Sequence, residues 1–198
     1  MGREGKIKIL EYQRYGRNKA TLINKRYIES GEYRSKFDRI TNNSYVNRVL
    51  YQKAKEMLFH RSGTLLEDMY WIDMPTGTII AKALNETEKN RICYSESINK
   101  VIWGRTNLIA MHTHPHSMPP SIADFNSAFL HNYFMGIVIC HDGKIFVYNS
   151  KEEVSENLYS MYIEKIHLHG LEEYSAQIET LNKLKESYQI DYWEVKPV

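Results

Sequence analysis

Met111-His112-Thr113-His114-Pro115-His116-Ser117-Met118-Pro119-Pro120-Ser121-Ile122-Ala123-Asp124 is the stretch on which the reading of this chain turns. Leu108–Met111 leads into it as a short apolar run of buried-strand character. In extended backbone alternate side chains share a face, so His112 and His114 at the strand's end can present both imidazoles to one ion. Pro119 and Pro120 stiffen the return of the chain, and Ser121 opens a helix whose first turn carries Asp124 on the same side. Two imidazoles and one carboxylate form a ligand set for zinc that leaves a fourth tetrahedral position open, the layout of a catalytic rather than a structural site. Zinc brings the pKa of water to about 7, which makes hydroxide available for attack on a carbonyl. Taken singly, a His-x-His pair is incidental and Ser121 with Asp124 is only a helix cap. The order strand, Pro-rich loop, helix start is what joins them into a metal site.

Two other histidine placements are weaker. Pro115 breaks the alternation that would carry His116 onto the ligand face, which leaves it a substitute. His167 and His169 fall in a helical pattern, where residues two apart diverge, and read as surface groups.

Working outward, Val46, Val49, Leu50, Ala54, Met57 and Leu58 recur at helical spacing, which predicts an amphipathic helix from Ser44 to His60 ended by Gly63. Asp68–Asp73 and Thr78–Ala83 read as a hairpin across Met74-Pro75-Thr76-Gly77. A short strand is expected at Arg91–Tyr94, then a helix from Ser95-Glu96-Ser97 to about Arg105. A further helix is expected from Ser121 to about Tyr133. Gly136–Cys140 and Lys144–Tyr148 form a second hairpin across Asp142-Gly143, a type I′ signal. The tail from Glu152 to about Tyr188 is helical, interrupted at Gly170, and its apolar spacing predicts docking on the core. Cys93 and Cys140 sit in apolar strand-like runs and read as buried reduced thiols.

Strands interleave with helices over residues 60–150, an α/β pattern, and 198 residues with 42% hydrophobic content suffice for one main core. Charge divides the chain into three parts. Residues 1–40 hold eleven Lys/Arg against five Asp/Glu and show no sustained period, residues 41–150 are near neutral, and residues 151–198 hold five against ten. The reading is therefore a basic arm at 1–43, partly disordered, a central domain at 44–150 and an acidic helical extension at 151–198. The arm reads as a solvated tail or as a contact for nucleic acid. No stretch has the ~20 apolar residues of a membrane span, and no secretory signal is visible, so a cytoplasmic location is expected.

Other zinc hydrolase patterns are missing: no His-Glu-x-x-His helix, no Pro-Cys-x-x-Cys, and a length short of the ~250 residues of an amidohydrolase barrel. Over about residues 60–150 the sequence resembles the JAMM, or MPN-plus, zinc metallopeptidase family. Its pattern is an upstream Glu, His-Ser/Thr-His-Pro, a short loop and Ser-x-x-Asp, here His112-Thr113-His114-Pro115 and Ser121-Ile122-Ala123-Asp124. The Pro-rich loop is similar to that of the bacterial, RadC-type branch.

The resemblance implies a mixed β-sheet flanked by helices in the layout shared with cytidine deaminases, here with an added C-terminal helical segment. It also implies zinc-dependent hydrolysis of peptide or isopeptide bonds, with a protein, peptide or ubiquitin-like conjugate as substrate. By the same resemblance the general base is the acid before the first strand, which selects Glu67 over Glu56, Glu86, Glu88 and Glu96. Ser121 would stabilise the oxyanion, a task its hydroxyl can fill while also capping the helix. The competing expectations are a RadC-like module serving nucleic-acid transactions through the basic arm and a protein-interaction scaffold, each with little hydrolysis.

Overall fold

Near-continuous apolar runs build central strands that are core on both faces of their sheet. The computed structural model describes residues 21–89 and 91–197. Its strands are β1 (Met69–Asp73), β2 (Ile79–Ala83), β3 (Leu108–His114), β4 (Met135–Cys140), β5 (Ile145–Ser150) and β6 (Ile190–Glu194). They form one mixed sheet in the order β2-β1-β3-β4-β5-β6, in which only β3 and β4 run parallel. The helices are α1 (Lys25–Ile28), α2 (Gly31–Phe37), α3 (Ser44–Arg61), α4 (Glu96–Ile102), α5 (Ile122–Leu130), α6 (Glu156–His167) and α7 (Glu173–Ser187). The architecture is thus α/β, a six-stranded mixed sheet flanked by helices and carrying a C-terminal helical segment.

The period of two sends the strand residues to two separate cores. Tyr70, Ile72, Ile109, Met111, Ile137, Ile139, Ile145 and Val147 face α1, α2 and α3, where Ile28, Tyr33, Phe37, Leu50 and Met57 close over them. Met69, Trp71, Leu108, Ala110, Val138, Phe146 and Tyr148 face the other way, toward Ile102 of α4, Phe125 of α5 and Leu181 and Leu184 of α7. His112 and His114 continue the second row, on the face of Leu108 and Ala110.

Several sequence expectations are corrected here. Residues 24–40, where no period is visible, form α1 and α2. Asn24 and Ser30 cap them through bonds to the Tyr27 and Tyr33 amides. Ile28, Tyr33 and Phe37 are wholly buried, and such short helices are held by anchors too few to leave a repeat. Residues 1–20, which hold the rest of the basic arm, lie outside the described residues. Arg91–Tyr94 pairs with no strand: the Cys93 amide donates to the Glu86 carboxylate at 3.2 Å instead, and Cys93 is exposed while Cys140 is buried. β3 runs three residues past Met111, through both histidines, because Pro115 is the first residue unable to donate to the ladder. β6 was not expected; it pairs antiparallel with β5 after the tail's helices.

That tail docks. Asn126 of α5 bonds both the amide and the carbonyl of Val154, at 2.8 and 3.1 Å, and fixes the entry into α6. Leu181 and Leu184 then bury against the second core. Among the described residues no helix is long and apolar enough to cross a membrane.

Candidate metal centre

The parallel pair β3 and β4 is crossed by α5, so the end of β3 and the start of α5 meet above the sheet's second face. Ser121 caps α5 reciprocally: its hydroxyl accepts from the Asp124 amide at 3.2 Å, and its own amide donates to Asp124 Oδ2 at 2.7 Å. The cap thereby locks the Asp124 side chain back toward the helix start, where β3 ends. His112 Nε2 lies 3.1 Å from Asp124 Oδ1, His114 Nε2 lies 3.4 Å from Oδ2, and the two Nε2 atoms are 3.0 Å apart. The sequence reading of these three residues as one cluster agrees with this geometry, and they form a His/His/Asp group able to hold a metal ion.

The fit to zinc can be tested on these distances. Bonds of ~2.0–2.1 Å in a tetrahedron separate ligand atoms by about 3.3 Å, the spacing found here. The donor chemistry agrees. His114 Nδ1 lies 3.0 Å from the Met118 carbonyl, which can only accept, so Nδ1 carries a proton and Nε2 is the ring atom turned to the cluster, the one a metal would use on displacing its proton. The Pro-rich loop is thus the outer support of a ligand, while Ser117, in left-handed backbone with φ of 58°, fastens that loop by accepting from the Asp142 amide. His112 Nδ1 is buried without a partner among the described residues.

Electrostatics of the bare site follow from burial and proximity. Burial lowers the His114 pKa, but bonding to Asp124, its charge and that of Glu67 outweigh this and push it up to about 9. Burial opposes the charged form of Asp124, yet the two histidines hold it well below the usual carboxylate range. A proton and a metal ion would therefore compete for the same Nε2 atoms.

Glu67 reaches the site by register. Met69 pairs with His112 in the antiparallel β1–β3 ladder, so two residues earlier Glu67 falls opposite His114, on the same face as Met69 and Trp71. Asp68 fixes this approach: its amide donates to Thr113 Oγ1 and its carbonyl accepts from the Thr113 amide, both at 3.1 Å. The Asp68 carboxylate, wholly buried, is held by Arg61 Nε at 2.5 Å and His60 Nδ1 at 2.7 Å. Glu67 is itself buried; desolvation raises its pKa against the pull of His114 and His112, and Asp124 adds to the rise.

The other acids lie elsewhere. Glu56 bonds Tyr70 and Lys53 under the opposite face, Glu86 holds the Cys93 amide, Glu88 pairs with Arg91, and Glu96 sits in the first turn of α4. His116 lines the cleft without joining the ligand cluster, and His167 and His169 are exposed, bonded to Leu171 and Lys165 carbonyls.

A cleft of about 320 Å³ opens over the cluster, lined by the polar Glu67, His112, His114, Ser121 and Asp124 and by the apolar or aromatic Met69, Ile92, Tyr94, Met118 and Tyr148. Tyr94 stacks on His131 with centroids 4.9 Å apart and bonds Tyr133, which accepts from Trp71 Nε1 at 2.8 Å. Sequence reading missed this aromatic wall and the Arg61–Asp68–Thr113 support. Phe146 and Tyr148 alternate onto the site's face, but no spacing marks Tyr94, which lies in a loop. No protein-family model, no curated protein and no solved structure matches this chain.

Proposed function

We propose that the chain is a zinc-dependent hydrolase of peptide or isopeptide bonds, of the JAMM or MPN-plus kind, with His112, His114 and Asp124 as ligands and Glu67 as general base. The register that sets Glu67 opposite His114, beside three convergent ligand atoms, is the observation that carries this reading. Zinc held by the set supplies Lewis acidity and a water of pKa about 7. Glu67 takes a proton from water as the oxygen adds to the scissile carbonyl carbon, and gives it to the amide nitrogen as the C–N bond breaks. A carboxylic acid and an amine are formed, the acid's proton passes to the amine so that they leave as carboxylate and ammonium, and Glu67 is again ionised. Its partial desolvation raises its basicity toward this task. Met69, Ile92, Tyr94 and Met118 offer apolar contact to a substrate side chain.

Elemental analysis and turnover of peptides and isopeptide-linked conjugates test the reading. About one zinc per chain is expected. Asp124→Ala should lose both zinc and turnover, whereas Glu67→Gln should keep zinc and melting temperature while turnover falls ~10²–10⁴-fold. Full zinc in Asp124→Ala would remove the ligand assignment and leave His114 and Asp124 as a buried ion pair. Full turnover in Glu67→Gln would remove the base.

A further inference from the structure

Tyr148 stands on β5 opposite Gly136 of β4, and its ring lies on that glycine. A Cβ at position 136 would stand 2.0 Å from the ring's Cζ and 2.4 Å from both Cε atoms. Only a residue without a side chain lets the ring cross β4 with its hydroxyl end foremost, toward β3. There the ring meets His112 edge-on at 6.4 Å between centroids, and Phe125 packs edge-on against it at 5.4 Å. The side chain is 2% exposed and lines the metal-site cleft.

Its hydroxyl is an exception among the phenols of this wall. Tyr94 and Tyr133 bond each other, and Tyr133 accepts from Trp71. The Tyr148 hydroxyl makes no hydrogen bond among the described residues, yet it is not sealed from the cleft. A polar atom carried on a buried, position-locked ring and left open to a cleft is a donor awaiting an acceptor. Ser121, the hydroxyl that the motif would assign to an oxyanion, gives its proton to Asp124 Oδ2 at 2.8 Å.

We infer that Tyr148 is a catalytic residue whose hydroxyl donates to the oxyanion formed from the scissile carbonyl, while Ser121 acts as a positioning residue for Asp124. The inference rests on the hydrolase reading above. The ring stands edge-on to His112 and is held between Gly136 and Phe125, which is the preorganisation such stabilisation needs.

The test compares the wild type, Tyr148→Phe and Ser121→Ala, each zinc-loaded, in turnover and in calorimetric binding of a phosphinic pseudopeptide and its matched amide. The phosphinic group carries a tetrahedral oxyanion. Tyr148→Phe keeps the ring contacts, so zinc content and melting temperature should hold while kcat falls ~10²–10³-fold. Phosphinic affinity should drop ~10-fold or more with the amide's unchanged. Ser121→Ala should lose zinc affinity instead. Wild-type kcat and phosphinic affinity in Tyr148→Phe overturn the assignment alone, as does a Ser121→Ala chain that loses both at full zinc. If the wild type shows neither zinc-dependent turnover nor zinc-dependent phosphinic binding, the hydrolase reading falls and Tyr148's role with it.

Discussion

The two faces of the sheet are made by the same alternating strands and end differently. Under α1, α2 and α3 the first face stays apolar along its length, and several polar groups it buries have found partners, the Tyr33 hydroxyl being an exception. Lys36 Nζ donates to the Gly143 carbonyl at 2.7 Å, Asn47 bonds the Thr41 carbonyl at 2.8 Å, and Arg61 holds Asp68. The second face begins in the same way, with Trp71, Ala110, Val138 and Phe146. It then turns polar where β3 ends: two imidazole nitrogens and a carboxylate converge within 4.8 Å, and His112 Nδ1 has no partner. A face built for packing satisfies its own polar groups. Two imidazoles and a carboxylate aimed at one another hold a positive charge in common, a proton in the bare site, and the metal we propose to displace it is zinc.

The largest effect that could break this contrast is removal of the second face's ligands. A His112→Ala/His114→Ala chain should retain no zinc, and its turnover should fall to background. Because a metal that binds only the folded state stabilises it by mass action, about 2.7 kcal/mol at a hundredfold excess over Kd, a chelator should lower the wild-type melting temperature. It should leave that of the double variant unmoved. A double variant whose melting temperature still responds to chelator would place the metal elsewhere and undo the distinction between the faces.

Five strands of the sheet, the His112, His114 and Asp124 cluster and the docked tail were legible in the sequence because each depends on a local pattern. Apolar runs bounded by turn residues mark β1, β3, β4 and β5, and the i, i+2 and helix-start spacings bring His112, His114 and Asp124 together without long-range knowledge. What escaped depends on pairing between distant segments. β6 exists because β5 offers an edge, and Ile190–Glu194 alone is too short to announce it. The reach of Glu67 follows from a β1–β3 register that sequence cannot fix, so the sequence supports it only through the family resemblance. Tyr148 enters the site through the missing side chain of Gly136, a contact visible only once β4 and β5 are aligned. Helices α1 and α2 were hidden by a basic composition that resembles a solvated arm, although their buried anchors, Ile28, Tyr33 and Phe37, are five and four residues apart.

An intermediate effect sharpens the comparison from the packed side. Leu50 of α3 is wholly buried on the first face. Truncation to alanine removes apolar contact and leaves a cavity, at a cost of about 2–5 kcal/mol. Leu50→Ala should therefore melt well below the wild type while binding the same zinc per folded chain, measured by elemental analysis of the native fraction. Zinc lost in proportion to stability would mean that the faces are one cooperative unit with no separate site.

The smallest effect concerns two phenols, one on each face. Burial, then Cys140 and Tyr27, push the Tyr33 pKa well above 10 on the first face, and burial pushes Tyr133 up to about 12 on the second, against the pull of its bonds to Tyr94 and Trp71. Both folded-state values are raised, so the unfolded chain gives up these protons first as pH climbs. Their contribution is complete below about pH 10 and is lost between pH 10 and the folded pKa, a change of up to about 2–3 kcal/mol for Tyr133. Melting temperature should accordingly fall through this alkaline window, with tyrosinate absorbance appearing only as the chain unfolds. The faces should then part on substitution. The Tyr33 hydroxyl is buried without a partner, so Tyr33→Phe should be neutral or stabilising by about 1 kcal/mol at pH 8 and should flatten the alkaline fall. Tyr133→Phe should flatten the fall too, but it strands the Trp71 indole N–H and should cost about 1–3 kcal/mol at pH 8. Equal costs at pH 8 would show that Tyr33 has a partner after all, and that the first face holds a polar network of its own.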